Sequence, residues 1–341
     1  MVKSKSLEKG LKFEFEGKKI LVTGGTGSIG TGIVEQLIKF KPSNIRILSN
    51  DENSLFELKR KFSVHSNLTY MVGDIRDLDR IKLAIRDIDI VFHAAAMKHI
   101  DICEDNPFDA VKTNVIGTSN VIEASLLENV SKFVFISTDK ATNPSSTLGA
   151  SKLLAERITQ DASSYRGLGK TKFVIVRFGN VIGSRGSVFQ IFLDQLKKRK
   201  PLTVTDPRMT RFIMSISEAA SLILNVTHIA KDCEIYILKM PSVKIVDFAR
   251  TMIDVYKSKF PSANESIIKI SKARERERLQ EFLVTQEEVP FCHDIDTMYK
   301  ISLERNKKEI PLSNFSSETT PKITQKKLQK TIKELIDEYY N

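Results

Sequence analysis

Lys19-Ile20-Leu21-Val22 runs directly into Thr23-Gly24-Gly25-Thr26-Gly27-Ser28-Ile29-Gly30, and that stretch opens a helix-period segment from Thr31 to Phe40. An apolar strand, a glycine turn and a helix in this order make a site for a dinucleotide. Gly24 permits the tight turn, Gly27 lets the backbone approach a pyrophosphate, and Gly30 allows helix and strand to pack closely. The amino terminus of the helix favours the negative charge. Thr26, Ser28 and Ile29 complete the turn and are assigned with the glycines to the cofactor.

Working outward, the same rhythm recurs. Ile45-Leu48, Leu68-Val72, Ile90-His93, Phe133-Ser137 and Phe173-Arg177 read as strands separated by helix-period segments. Strands rich in Val and Ile, without in/out alternation, indicate a parallel sheet covered on both faces. The expected class is therefore α/β, a doubly wound (Rossmann) parallel sheet. Past Asn180 the rhythm breaks into Gly183-Ser184-Arg185-Gly186-Ser187, a helix ending in basic residues, and Thr203 to Phe212, which reads as a cap over the carboxyl ends of the strands. A β-like run at Glu234-Lys239 is expected to rejoin the sheet, so the smaller, substrate-binding lobe is interleaved. The expected organisation is an N-terminal leader over 1–18, the nucleotide-binding domain over 19–182, the second lobe over 183–304, and a C-terminal tail and helix over 305–341. The helical segment near Lys326-Tyr340 reads as a packing element or oligomer contact.

A chain of 341 residues with 41% hydrophobic composition can bury one large core or two modest ones. Its net charge of +11 is diffuse, and the two basic clusters, Lys197-Lys200 and the Lys322 to Lys333 tail, lack aromatics interleaved for base stacking. That pattern argues against nucleic acid and suits a small phosphate-bearing ligand. No run approaches the roughly 18–20 apolar residues of a membrane span, and Met1 to Glu16 is too charged for a secretory segment. A cytoplasmic protein with no membrane partner is expected. Cys103, Cys233 and Cys292 form no C-x-x-C or Cys/His spacing, which fits a reducing compartment with no disulfide and no metal site.

The second strand ends in Ser49-Asn50-Asp51, where an adenosine ribose should lie. Asp51 could accept from a 2′-hydroxyl, favouring NAD, whereas Ser49 and Asn50 could donate to a 2′-phosphate, favouring NADP. Asp74, followed by Ile75 after the third strand, is placed to bond the adenine amino group, with capping of the next helix as the plainer role. The fourth strand ends in His93-Ala94-Ala95-Ala96, whose small residues let the backbone lie against the phosphates and nicotinamide ribose. His93 and His99 read as packed histidines rather than catalysts.

At the fifth strand end stands Ser137-Thr138-Asp139-Lys140, followed by Leu148 and Lys152. Strand-end residues at the carboxyl edge of a parallel sheet face the ligand crevice. Asp139 and Lys140 are thus two proton-transfer groups aimed at a ligand. Enzymes of the short-chain dehydrogenase type carry Tyr-x-x-x-Lys on the next helix, and here Leu148 occupies the tyrosine position.

With these elements in place the chain resembles the UDP-N-acetylglucosamine 4,6-dehydratases, 5-epimerising members included, within the extended short-chain dehydrogenases. G-x-x-G-x-x-G is the glycine spacing typical of that group. The resemblance rests also on Gly73-Asp77, His93-Asp101 (HAAAMKHID), Asn106-Pro107, Lys112-Thr113-Asn114, Ser137-Pro144 (STDKATNP), Gly149-Lys152, Arg177-Ser187 (RFGNVIGSRGS) and Asp206-Phe212 (DPRMTRF). It implies transient oxidation at C4 of the sugar, removal of the C5 hydrogen, loss of the C6 hydroxyl and return of the stored hydride to C6. By resemblance Asp139 is the acid at C6, Lys140 the base at C5 with a lowered pKa, Thr138 the holder of the C4 oxygen, and Lys152 the partner of the nicotinamide ribose. Asn114 joins the cofactor set, and Lys98, Asn180, Ser187, Met209, Arg211, Arg274 and Glu277 the UDP-sugar pocket. The cofactor implied is NADP or NAD, NADP favoured, tightly bound and recycled; the assembly implied is a homo-oligomer, dimer or hexamer. Three departures stand out: Leu148 for the usual Tyr or Met, Asn50 where many relatives have Arg, and Arg274-Glu275-Arg276-Glu277-Arg278 where the family has Arg-Pro-Gly-Glu-Lys. Two other readings are kept, a UDP-N-acetylhexosamine 4-epimerase and a non-catalytic NAD(P) or UDP-sugar sensor.

Overall fold

The computed structural model describes residues 2–261, 267–271, 277–308 and 310–340, with side chains from residue 7 onward. Its first half alternates strand and helix: α1 (Val2–Phe15), β1 (Lys19–Thr23), α2 (Ser28–Ile38), β2 (Asn44–Ser49), α3 (Glu52–Lys61), β3 (Leu68–Val72), α4 (Leu78–Ile85) and β4 (Ile90–His93). Then come α5 (Ile100–Asp105), α6 (Pro107–Val111), a π-helical turn at Lys112–Ile116, α7 (Gly117–Leu127), β5 (Lys132–Ile136), α8 (Thr147–Asp161) and β6 (Lys172–Arg177). Beyond them lie β7 (Asn180–Ile182), α9 (Val188–Lys197), β8 (Leu202–Val204), β9 (Thr210–Ser215), α10 (Ile216–Ile229), β10 (Glu234–Leu238), β11 (Ser242–Lys244), α11 (Ile245–Lys259), β12 (Ile268–Ile270), β13 (Cys292–Asp294), β14 (Met298–Ile301) and α12 (Gln325–Tyr340).

Among the described residues the largest sheet has nine strands in the order β13-β14-β10-β6-β5-β4-β1-β2-β3. From β3 to β10 every neighbouring pair is parallel, and β14 and β13 close that side antiparallel. The central strands β1, β4, β5 and β6 are buried along nearly their whole length, which is why they carry continuous apolar runs. Edge strand β3 is only partly buried. Strand order reverses between β1 and β4, the place where an open α/β sheet holds its ligand.

The doubly wound fold is as expected, and Glu234–Leu238 rejoins the sheet beside β6. Helix α2 starts three residues earlier than its hydrophobic period suggests, because Thr31 N–H bonds Gly27 carbonyl oxygen at 2.8 Å and so closes the first turn inside the glycine stretch. The expected leader contains a helix that packs down: Leu11 and Phe15 enter the main core, and Glu14 pairs with Lys132 at 2.6 Å.

The second lobe has its own apolar cluster, with Phe189, Phe192 and Phe248 among its members, and two small sheets, β11-β9-β7 and β12-β8. Helix α12 joins that cluster through Leu328, Ile332 and Ile336, spaced four apart on one face, and lies against α11. Among the described residues no helix is long and apolar enough to cross a membrane.

Candidate active site

The carboxyl ends of β1, β2, β4, β5 and β6 and the Gly183–Ser187 loop enclose a cavity of about 920 Å³. It gathers Gly24, Thr26, Gly27, Ser28, Ile29, Gly30, Ser49, Asn50, Asp51, Asp74, Ile75, Ala94, Ala95, Ala96, Lys98, Thr138, Lys140, Leu148, Lys152, Asn180 and Ser187. Gly24 has φ +63°, and a Cβ there would come within 2.6 Å of the Ala95 backbone; one at Gly30 would come within 2.3 Å of the Gly24 carbonyl oxygen. No side chain caps α2 at Gly27, so the first-turn N–H groups are left for a ligand. A bare helix amino terminus at the switch point, in a cleft this long, fits a dinucleotide.

The acidic groups at the adenosine end are already engaged. Asp51 caps α3, accepting from Ser54 N–H at 3.0 Å and from its hydroxyl at 2.5 Å, which holds the carboxyl below its usual range. Asp74 is gripped by Arg76 through two nitrogens, Nε at 3.0 Å and Nη2 at 2.6 Å, and its pKa is lowered by that contact. The cap of α4 is Asp77, so the plainer role for Asp74 falls away.

At the other end Lys140 Nζ donates to Asp139 Oδ1 at 3.0 Å, and Thr138 Oγ1 donates to the same oxygen at 3.0 Å. Lys140 also lies 3.4 Å from Asn180 Oδ1. Asp139 is fully buried beneath the cavity floor, and its Oδ2 has no hydrogen-bond partner among the described residues. Burial works against the Lys140 charge, but Asp139 and then Glu281 outweigh it, so the pKa is raised. This corrects the lowered value expected of a base: Asp139 and Glu281 favour the ammonium form of Lys140. Lys152 behaves oppositely. Buried over the Phe135 ring and donating to Ile136 carbonyl oxygen at 2.9 Å, it is pushed down to about 8 by burial, with Glu156 opposing. Lys98 is likewise lowered by burial and by Arg185, and donates to Arg185 carbonyl oxygen at 2.5 Å.

The comparisons with known proteins match this architecture. A family profile described as polysaccharide biosynthesis protein matches residues 20–303. The chain belongs to that family. A relative in Methanocaldococcus jannaschii, named as an uncharacterized membrane protein, is 47% identical over 94% of this chain and 97% of its own length. In Campylobacter jejuni a UDP-N-acetylglucosamine 4,6-dehydratase (inverting) is 38% identical, covering 84% of each chain. A UDP-glucose 4-epimerase of Rickettsia typhi is 33% identical over 93% of this chain and 96% of its own. The crystal structure of Pen from Bacillus thuringiensis superposes with a TM-score of 0.88 at 38% identity, over 93% of this chain and 98% of that one.

In this member of the polysaccharide biosynthesis family some expected site residues lie off the cavity. Asn114 is buried and clasps Met97 through both its N–H at 2.8 Å and its carbonyl oxygen at 3.1 Å. Met209 sits in the core of the second lobe. Arg211 is buried, donating to the carbonyl oxygens of Thr210 and Arg278 at 2.8 Å each, with Glu277 and Glu281 at 3.8 Å. Arg274 lies outside the described residues.

Two groups of residues escaped the sequence reading. Arg177, fully buried, forks to Glu156 (2.6 and 3.1 Å) and to Glu288 (2.8 and 2.9 Å), and bonds Leu283 carbonyl oxygen at 2.9 Å. Glu156 lies one turn beyond Lys152 on α8, so this ion trio ties the Lys152 helix to β6 and to the segment after Glu281. Glu281 itself is buried, with Oε2 unpartnered among the described residues and its pKa raised, by burial first. The i, i+4 spacing of Lys152 and Glu156 was a visible signal. Nothing local marks Glu281 or Glu288, whose cationic partners Lys140 and Arg177 are more than a hundred residues away.

Proposed function

We propose that this chain is a nucleotide-sugar enzyme of surface polysaccharide synthesis, a 4,6-dehydratase that takes UDP-N-acetylglucosamine to a UDP 4-keto-6-deoxy hexosamine, with or without inversion at C5. The observation that carries the reading is the single Asp139 oxygen shared by Thr138 and Lys140 at the cavity floor. The name of the 38% identical Campylobacter relative supports the same chemistry. A nicotinamide dinucleotide, when bound, supplies reversible removal of hydrogen at C4. The residues that would hold it are the Gly24–Gly30 turn, Ser49, Asn50, Ala94 to Ala96 and Lys152.

The remaining work is proton transfer. Thr138 Oγ1 is placed to receive the C4 hydroxyl proton and pass it to Asp139 Oδ1, so the missing tyrosine at Leu148 is bypassed. Asp139 then holds the proton that the C6 hydroxyl needs to leave as water. Neutralising Asp139 also removes the largest charge that keeps Lys140 protonated. With that support gone Lys140 gives one proton to solvent and becomes a free amine, which takes the C5 proton, returns one to C5, and regains its own proton from solvent once Asp139 is ionised again. The protons balance: the C4 hydroxyl proton departs with the C6 hydroxyl as water, the C5 site is served by Lys140, and the proton Lys140 first gives to solvent is taken back at the end of the cycle.

A 4-epimerase is the second reading, favoured by the Rickettsia relative's name. Epimerisation needs no acid at C6, so it leaves Asp139 and Lys140 without the roles that elimination gives them. Proton NMR of the purified protein with UDP-N-acetylglucosamine in deuterated buffer separates the two. A new C6 methyl signal with deuterium at C5 is expected, and the sugar couplings report whether C5 inverts. Conversion to the galacto isomer without a methyl would replace the dehydratase by the epimerase. Cofactor bound but substrate unchanged would move the reading to the sensor or to another nucleotide sugar.

A further inference from the structure

The second strand ends in Asn50, a residue with no charge to offer a phosphate, yet the cavity at that point is not without a cation. Arg185 reaches it from the other lobe. Its backbone N–H donates to Ser28 Oγ at 3.0 Å, at the first turn of α2, and its Nη1 donates to Ser54 Oγ at 3.2 Å, in the first turn of α3. The loop thus bridges the two helix amino termini that flank the dinucleotide groove. Gly186 has φ +69°, and a Cβ there would lie 2.3 Å from the His99 ring, so the turn that delivers Arg185 is fixed by close packing.

We propose that Arg185 is the cationic contact for the adenosine 2′-phosphate of NADP, supplied across the cleft by the Gly183–Ser187 loop in place of a basic residue on the second strand. The inference rests on the reading that this cleft takes a nicotinamide dinucleotide. Three observations carry it. The residues at the β2 end, Ser49, Asn50 and Asp51, line the same cavity as Arg185. In such folds this is where the ribose hydroxyls lie, and an arginine nearby accommodates a 2′-phosphate. The other guanidinium lining this end, Arg76, is already held by Asp74 and by Asp109 at 3.6 Å. Asp51 points its carboxylate at Ser54, the same group Arg185 contacts, and its pKa is lowered in part by Arg185. That pairing sets the selectivity. With Arg185 in place the local charge is balanced and a phosphate is accepted; without it, Asp51 alone repels the phosphate and suits a free 2′-hydroxyl.

The test is binding, measured by calorimetry on the purified full chain with 2′,5′-ADP and 5′-AMP, and by fluorescence titration with NADPH and NADH. The wild type should prefer 2′,5′-ADP over 5′-AMP. Arg185→Ala should lower affinity for 2′,5′-ADP and NADPH about ten- to hundredfold while leaving 5′-AMP and NADH within about twofold, reversing the preference. Arg185→Lys should retain part of it. Equal losses for all four ligands would place Arg185 on the adenosine 5′-phosphate that they share and overturn the proposal, as would no change in any. A wild type that binds none of the four would instead remove the cofactor reading itself. Arg185 is exposed, so the variant's thermal unfolding should match the wild type.

Discussion

The two ends of the cavity are built on opposite principles. The cofactor end is made of backbone and small side chains at the ends of successive strands, and its carboxylates are held by near neighbours in sequence, Asp74 by Arg76 and Asp51 by Ser54. The catalytic end is made of buried charge assembled from five separate parts of the chain: Asp139 and Lys140 after β5, Glu156 on α8, Arg177 on β6, Arg211 on β9, and Glu281 and Glu288 from beyond α11. A bare helix end and glycine turns can hold a phosphate wherever they fold. Proton transfer needs charges whose protonation is set by their neighbours, and only a low-dielectric interior allows neighbours that influence.

The sharpest way to break this contrast is at Lys140. Lys140→Ala should lower turnover by about 10²- to 10⁴-fold, followed by the C6 methyl signal, with NADPH affinity unchanged. A parallel fall in cofactor affinity would mean that the two ends are not separable. Next is Arg177→Ala, which strands Glu156 and Glu288 in the interior and should cost about 3–5 kcal/mol in urea unfolding, because a buried pair broken on one side leaves an uncompensated charge. Adding Glu156→Gln and Glu288→Gln should recover much of that loss; no recovery would show that Arg177 acts through shape alone. Gly30→Ala tests the other end. Its Cβ would press on the backbone of Gly24 and Gly25, costing about 1–3 kcal/mol in cofactor affinity, read by NADPH titration, with Asp139 and Lys140 undisturbed.

The smallest effect is a change in pH response. Burial lifts the Glu281 pKa, Asp139 adds to the lift, and Lys140, Arg211 and Arg278 oppose it. Because its folded pKa lies above the unfolded one, the stability it contributes is complete below the ordinary glutamate range and is lost as pH rises through the folded value. Glu281→Gln should therefore flatten the stability curve from that range upward, measured by urea unfolding at a series of pH values. An unaltered slope would mean that Glu281 does not hold a raised pKa.

How much of this was legible in the sequence follows the same division. The order of β1, α2 and β2, the strand-end positions of Ser49, Ala94 to Ala96 and Thr138 to Lys140, and the return of Glu234–Leu238 to the sheet all follow from short-range pattern. The raised pKa of Lys140 was only half legible: Asp139, the larger support, is its neighbour in sequence, but the second, Glu281, lies 141 positions downstream where no local rhythm announces a partner. Asn114 and Met209 matched motifs yet lie off the cavity, the one hydrogen-bonded to the Met97 backbone and the other in the core of the second lobe, since a motif fixes residue type but not which way a side chain faces. Arg185 stood in a quoted stretch, but its reach to Ser54 exists only once the lobes meet.

The Arg177 trio also carries a schedule. Arg177 and Glu288 are 111 residues apart, so at a synthesis rate of 5–20 residues per second Arg177 leaves the ribosome roughly 5–20 s before its second carboxylate. In that interval the strands that build the cofactor groove are complete, but the catalytic floor has only Glu156 to balance its guanidinium. The strands of the groove are therefore all synthesised before the ion trio that ties α8 to β6 can close.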